Sequence, residues 1–311
     1  GALILATALL LGCGPSEMRP SEDEKPSRMV LDLVEPAELH RWNATDTPAF
    51  VLDVRPITSY HHGHIPDAIQ VWRDAFTRND LPYSGMSATR ETIQHLLDSL
   101  GLKAGQQVVV YDDRGGCDAA RVWWLLKVHG HRKVALLNGG IPRWRTEGLP
   151  VTLKWVRTKP SGYVFPDPVD SSLVATLEHV KRAVEDGRGV LLDTRSRNEF
   201  SGAERKEGAF RAGTIPGSVL YDWGNAVAFD KDKILKDAGA LQYDLAALGI
   251  QPDDTVITFC HSGVRSAHTT YVLTAVLGMK NVRNYDGSWT EWSYHDKLPV
   301  RADSFTTTSL P

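Results

Sequence analysis

Short apolar runs rich in β-branched residues punctuate the chain, and between them lie stretches whose apolar positions recur at helical spacing. Val51-Leu52-Asp53-Val54-Arg55, Val108-Val109-Val110-Tyr111-Asp112, Leu191-Leu192-Asp193-Thr194-Arg195 and Val256-Ile257-Thr258-Phe259-Cys260 read as buried strands ending at a polar residue. Thr89 to Leu100, Ser172 to Glu185 and Ala267 to Leu277 read as helices. This alternation predicts an α/β fold built on mainly parallel sheets flanked by helices.

The runs come in pairs. The pattern at Asp53 returns 140 residues later at Asp193, and Gly63-His64-Ile65-Pro66-Asp67-Ala68 returns as Gly213-Thr214-Ile215-Pro216-Gly217-Ser218. Val108 to Asp112 returns as Val256 to Cys260, and Asn138-Gly139-Gly140-Ile141-Pro142-Arg143-Trp144 returns as the segment Tyr285 to Trp292. A period this long means a duplicated domain. The first copy spans 30–153 and the second 171–303; the intervening 154–170, with Pro160, Gly162, Pro166 and Pro168, reads as the linker.

The amino-terminal end differs from both. Residues 1–12 are almost wholly apolar and then turn polar at Cys13, a run too short to span a bilayer and suited to the apolar region of a secretory signal. Leu10-Leu11-Gly12-Cys13 resembles the cleavage box of bacterial lipoproteins, although Leu11 is larger than the usual small residue. The resemblance implies acylation of Cys13, export, and a periplasmic or cell-envelope protein held to the membrane by a lipid anchor only. Residues 14–29, rich in Pro, Ser, Glu and Lys, then read as a flexible tether.

Composition adds bounds. The 311 residues are 42% hydrophobic and 23% charged, enough for two cores, and the net charge of −3 gives no sign of nucleic-acid binding. A monomer is expected. Cysteines occur at 13, 117 and 260 alone. If Cys13 is acylated, the only pair left, Cys117 with Cys260, would silence the second thiol, so Cys260 is expected to be free.

The stretch around Cys260 concentrates the chemistry. A strand stops at Cys260, and a tight loop with Gly263 and Arg265 opens into a helix. Successive amides and a helix start favour thiolate over thiol, although an isolated Cys at a strand end is also a common packing residue. Aligning the two copies sets Asp112 opposite Cys260 and Cys117 opposite Arg265, so the first copy lacks the nucleophile, and Cys117 reads as a packing residue.

Cys260-His261-Ser262-Gly263-Val264-Arg265-Ser266 resembles the active-site loop of rhodanese sulfurtransferases, and Asn284 to Trp292 resembles that family's closing motif. The same fold in cell-cycle phosphatases uses a loop one residue longer; four residues between Cys260 and Arg265 suit a sulfur-sized guest. Arg121-Val122-Trp123-Trp124 is similar to the inactive first domain of tandem rhodaneses. The resemblance covers roughly residues 30 to 303.

It implies a sulfurtransferase without metal or organic cofactor, using small-molecule donors and acceptors. Cys260 would be the nucleophile, with residues 261–266 holding the persulfide and the Arg265 cation over it and the anionic donor. Asp193 and Arg195 would fix the neighbouring loops. Asp53, His64 and Ser262 match positions implicated in proton handling across the domain interface of mercaptopyruvate-using relatives. Those relatives carry an Arg six residues after the second-domain Asp, where this chain has Glu199, a pattern more similar to bacterial thiosulfate-type enzymes. The expected activity is therefore transfer of sulfane sulfur from thiosulfate to cyanide or a thiol. The alternatives are a 3-mercaptopyruvate sulfurtransferase and a persulfide carrier or binding module without turnover.

Overall fold

The computed structural model describes Gly1 and residues 32–302. The predicted signal, Cys13 and the tether to residue 29 lie outside the described residues.

The first half runs β1 (Leu33–Val34), α1 (Pro36–Asn43), β2 (Phe50–Asp53), α2 (Ile57–His61), β3 (Ile69–Gln70), α3 (Arg90–Ser99), β4 (Val108–Tyr111), α4 (Cys117–His129), β5 (Val134–Leu137) and α5 (Gly140–Thr146). The second runs β6 (Val174–Ala175), α6 (Leu177–Asp186), β7 (Val190–Asp193), α7 (Arg197–Ser201), β8 (Val219–Leu220), β9 (Val227–Ala228), β10 (Ile234–Leu235), α8 (Ala238–Ala247), β11 (Val256–Phe259), α9 (Val264–Tyr271), β12 (Val282–Tyr285) and α10 (Ser288–Tyr294). Each half holds a five-stranded sheet, ordered β1-β5-β4-β2-β3 and β6-β12-β11-β7-β8, and every pairing within them is parallel. A separate antiparallel ribbon joins β9 to β10.

The central strands β2, β4 and β11 are buried along their whole length, as continuous apolar runs covered by helices on both faces require. Register sets Asp53 beside Tyr111 and Asp193 beside Phe259, so the polar strand ends line up at the carboxyl edge of each sheet, where open α/β folds place their ligands.

The repeated Asp-x-Arg pattern has a structural cause. Arg55 forks onto the Asp53 carboxylate and reaches the Gly63 carbonyl at 3.1 Å; Arg195 does the same with Asp193 and the Gly213 carbonyl at 2.8 Å. Each pair thus pins its own Gly-x-Ile-Pro loop, and both glycines sit at strongly positive φ.

Two helix expectations are shifted. Ser172 to Glu185 is not one helix: strand β6 intervenes, and the helix starts at Leu177 behind a Thr176/His179 capping box. The helix expected from Ala267 begins three residues earlier at Val264, because Gly263 at φ +76° turns the chain directly into it. It ends at Tyr271 in a π turn, Val272–Val276.

The halves meet along α4 and α9. Almost every residue of α4 is buried, as a helix must be that lies between its own sheet and a second domain. Trp123 meets Tyr271 edge to face, and one apolar cluster holds Leu125 and Val110 of the first half with Ala267 and Val272 of the second. The segment 154–170 has no regular structure but is strapped to the first half. The Asp98 carboxylate accepts the N–H groups of Ser161, Gly162 and Tyr163, Arg90 donates to the Asp167 carbonyl, and Tyr163 and Phe165 are buried.

Candidate active site

Strand β11 delivers Cys260 to the carboxyl edge of the second sheet, and the loop that follows wraps it. The thiol is free and only 1% exposed. The Cys260 N–H donates to Ser288 Oγ at 3.1 Å, and the carbonyls of Cys260 and His261 accept from the amides of Trp289 and Thr290. Ser288 adopts φ +50°, an uncommon conformation for a residue with a Cβ, and its hydroxyl is held in turn by the Tyr285 carbonyl at 2.8 Å. The closing motif is thus the brace that fixes the backbone of Cys260 and His261.

Burial pushes the Cys260 thiol up, but the charge of Arg265, the hydroxyl of Ser266 and the backbone N–H groups of Ser266 and Ser262 more than reverse this, and the thiol titrates below its ordinary value. Ser266 Oγ lies 3.5 Å from Sγ. The same donors suit a persulfide anion one atom longer.

Arg265, expected as a fixed cation over the sulfur and the donor, also has a partner that the sequence does not show. It lies in the first turn of α9, and both terminal nitrogens hold the Glu199 carboxylate, at 2.6 and 2.8 Å. Burial alone would raise the Glu199 pKa; the two hydrogen bonds and the charge of Arg265 carry it down to about 2, so the pair stays ionised. Glu199 also caps α7 through Ser196. His261 is almost fully buried, and burial together with the charge of Lys206 lowers its ring to about 4, so it is neutral near pH 7.

The first half closes the site. Arg121 of α4 reaches Asp286 Oδ1 at 2.5 Å, the Gly263 carbonyl at 3.3 Å and the Gly85 carbonyl at 3.0 Å. Ser87 N–H donates to Asp286 Oδ2, Tyr83 Oη donates to Glu291, and Thr290 Oγ1 donates to the Ser84 carbonyl. Gly85 packs so closely on Ser262 that a Cβ there would fall 2.3 Å from the serine Cβ. Gly263 is equally confined: a Cβ would meet the Asp286 carbonyl at 2.7 Å. Sequence does not mark Arg121 or the segment 83–87 as part of the site, since nothing in their local pattern announces a partner in the other half.

Asp53 and His64 have partners of their own. Asp53 accepts from Arg55 and from Tyr111 Oη at 2.6 Å, while the two His64 ring nitrogens face the carbonyls of Tyr60 and Lys154, with Tyr60 stacked on the ring at 3.5 Å. All these partners belong to the first half and the segment that follows it, whereas Ser262 sits against Gly85. Among the described residues no hydrogen bond joins Asp53 or His64 to Ser262.

The corresponding loop of the first half is already filled. Asp112 occupies the position aligned with Cys260, and its carboxylate accepts four backbone N–H groups, from Arg114, Gly116, Asp118 and Ala119, at 2.8 to 3.0 Å. The loop cradles its own anion. Cys117, buried at the start of α4 beside Asp118 and Asp112, is pushed well above the usual thiol range, first by burial and then by those carboxylates. That suits a packing residue.

Two regions, 35–147 and 176–295, match the rhodanese-like domain family. The chain is 36% identical over 267 residues to the sulfur carrier protein TtuD of Thermus thermophilus, covering 82% of this chain and 91% of that one. It is 32% identical over 269 residues to the thiosulfate sulfurtransferase of Azotobacter vinelandii, covering 86% and 96%. Among solved structures, the Tum1 protein of Saccharomyces cerevisiae superposes with a TM-score of 0.77 at 24% identity over 88% of this chain and 99% of that one, a likeness of fold. The chain belongs to the rhodanese family of sulfurtransferases, as a tandem of two rhodanese-like domains.

Proposed function

We propose that the protein moves sulfane sulfur from thiosulfate to a thiophilic acceptor, cyanide or a thiol, through a persulfide on Cys260. The observation that carries this reading is a buried sulfur at the end of β11 whose thiolate is favoured by Arg265, Ser266 and loop amides. The Cys260 thiolate attacks the outer sulfur of thiosulfate; the S–S bond breaks, sulfite leaves with its electron pair, and the persulfide anion stays on Cys260. The acceptor then attacks the outer sulfur and restores the thiolate. With cyanide the product is thiocyanate. A donor panel tests the assignment: sulfite release from thiosulfate at a higher kcat/KM than pyruvate release from 3-mercaptopyruvate supports it, and the reverse order moves the activity to mercaptopyruvate.

A carrier reading, in which the persulfide waits for a protein partner without free turnover, is favoured by the 1% exposure of Cys260 and by the name of the Thermus relative. Slow turnover with small acceptors alongside a stable persulfide would select it. Export and lipid anchoring at Cys13 are proposed from the sequence alone. Membrane sedimentation that is lost in Cys13→Ala supports them, and a parent protein in the soluble cytoplasmic fraction removes them.

A further inference from the structure

Cys260 is almost fully buried, so a sulfur donor reaches it only past the segments that surround the loop. Two of them converge on His261. From the second half comes the turn 206–209, closed by the Ala209 N–H on the Lys206 carbonyl at 3.1 Å, with Gly208 at φ +88° as its corner. From the first half comes Ser84. A Cβ on Gly208 would stand 3.5 Å from Ser84 Oγ and 3.6 Å from His261 Nε2, so the turn, the serine and the ring frame one rim. The other ring nitrogen, His261 Nδ1, is buried without a hydrogen-bond partner among the described residues. Lys206 opens this turn. Its neighbour Arg205 donates to the Ala209 carbonyl at 2.9 Å, whereas Lys206 is exposed and forms no ion pair among the described residues. Its charge acts on the His261 ring.

Attack at sulfur is in line: the thiolate approaches the outer sulfur along the S–S axis, from the side opposite the group that leaves. As the new S–S bond forms on Cys260, the old one breaks and sulfite departs with the electron pair, pointing away from Cys260 toward the opening. Arg265 acts at the inner end, on the thiolate. The charge that trails outward meets the rim. We propose that Lys206 is a specificity-determining residue of this site: its ammonium, on the rim with Ser84 and His261, draws anionic sulfur donors to Cys260 and pairs with the oxyanion that leaves. The inference rests on the reading that Cys260 takes sulfur from thiosulfate, and it concerns only how the anion is drawn in.

Lys206→Met removes the charge at similar length, and Lys206→Arg keeps it. Iodoacetate and iodoacetamide separate charge from access, since they are close in shape, the first is an anion, the second is neutral, and each loses iodide to the Cys260 thiolate. Their rates are read at the Cys260 peptide by mass spectrometry, so that no other thiol counts. At low ionic strength the iodoacetate-to-iodoacetamide ratio is expected to fall about threefold or more in Lys206→Met and to stay at the wild-type value in Lys206→Arg, as an exposed rim charge does, and high salt should close the gap. The kcat/KM for thiosulfate should fall about threefold or more in parallel. A smaller fall in either quantity, or one that Lys206→Arg shares, overturns the proposal. Equal slowing by both alkylating agents would mark a misshapen opening and overturns it as well. A wild type that forms no persulfide with thiosulfate sinks the sulfur reading alone, and the alkylation ratio then still decides whether Lys206 draws anions to Cys260.

Discussion

Arg121, on helix α4 of the first half, lies 2.5 Å from Asp286 of the other half and donates to the carbonyl of Gly263 in the loop that wraps Cys260. Both side chains of the ion pair are at least nine-tenths buried. The first domain therefore shapes the loop it faces.

Truncating Arg121 leaves the Asp286 carboxylate buried beside the Ser87 amide without its cation. Arg121→Ala is expected to cost about 3 to 5 kcal/mol, as breaking a buried pair does, and to slow sulfur transfer more than Arg121→Lys does. Thermal unfolding and single-turnover persulfidation measure the two effects. A stable, fully active alanine variant would show that the contact supports neither.

Incubation with thiosulfate is expected to add one sulfur mass per chain and no more. The adduct should be absent in Cys260→Ser and unaffected in Cys117→Ser, since Cys117 is buried and held as a thiol. Intact-protein mass spectrometry checks this, and an adduct on Cys117 would contradict it.

Gly263 has two independent reasons to be glycine: φ of +76° and no space for a Cβ between the Asp286 carbonyl and Arg121. Gly263→Ala should turn the loop amides away from Cys260 and lower kcat by about a hundredfold or more, since loss of one preorganised donor costs ~2.7 to 4 kcal/mol. An unchanged kcat would mean that the loop tolerates the shift.

The pH profile follows from the direction of the Cys260 shift. Because the thiol titrates below its ordinary value, persulfidation should rise with pH and level off at a lower pH than it does for a free cysteine peptide. Removing the Arg265 charge takes away the largest favourable cause, so the rise in Arg265→Ala is expected at higher pH. His261 is already neutral above about 4, so His261→Asn should leave the profile between pH 5 and 8 in place. Stopped-flow rates against pH read all three.

Much of the fold was legible because the duplication repeats its strand ends. Asp53 and Asp193 stop their strands with the same Asp-x-Arg fork, and a polar residue at the end of an apolar run marks the carboxyl edge of a buried parallel sheet. Cys260 was legible for the same reason, joined to a Gly-containing loop and a helix start. Arg265 was placed in the right loop as a cation near the sulfur, but its Glu199 partner was not foreseen, because an ion pair 66 residues apart in sequence is invisible to local spacing. Asp53, His64 and Ser262 were grouped by resemblance, yet His64 turns both ring nitrogens to carbonyls of its own half and of the connecting segment. Arg121 was legible as part of a first-domain motif, but its contact with Asp286, like that of Gly85 with Ser262, exists only once the two halves are laid together.

The strapping of residues 161–167 by Asp98 and Arg90 has a consequence in local concentration. A short, bound connector holds each half beside the other as though at a concentration on the order of millimolar. An interface between α4 and α9 too weak to persist between free chains at cellular dilution would still remain shut. Cutting the chain within the connector should therefore convert a property independent of protein concentration, the activity per mole of Cys260, into one that falls on dilution.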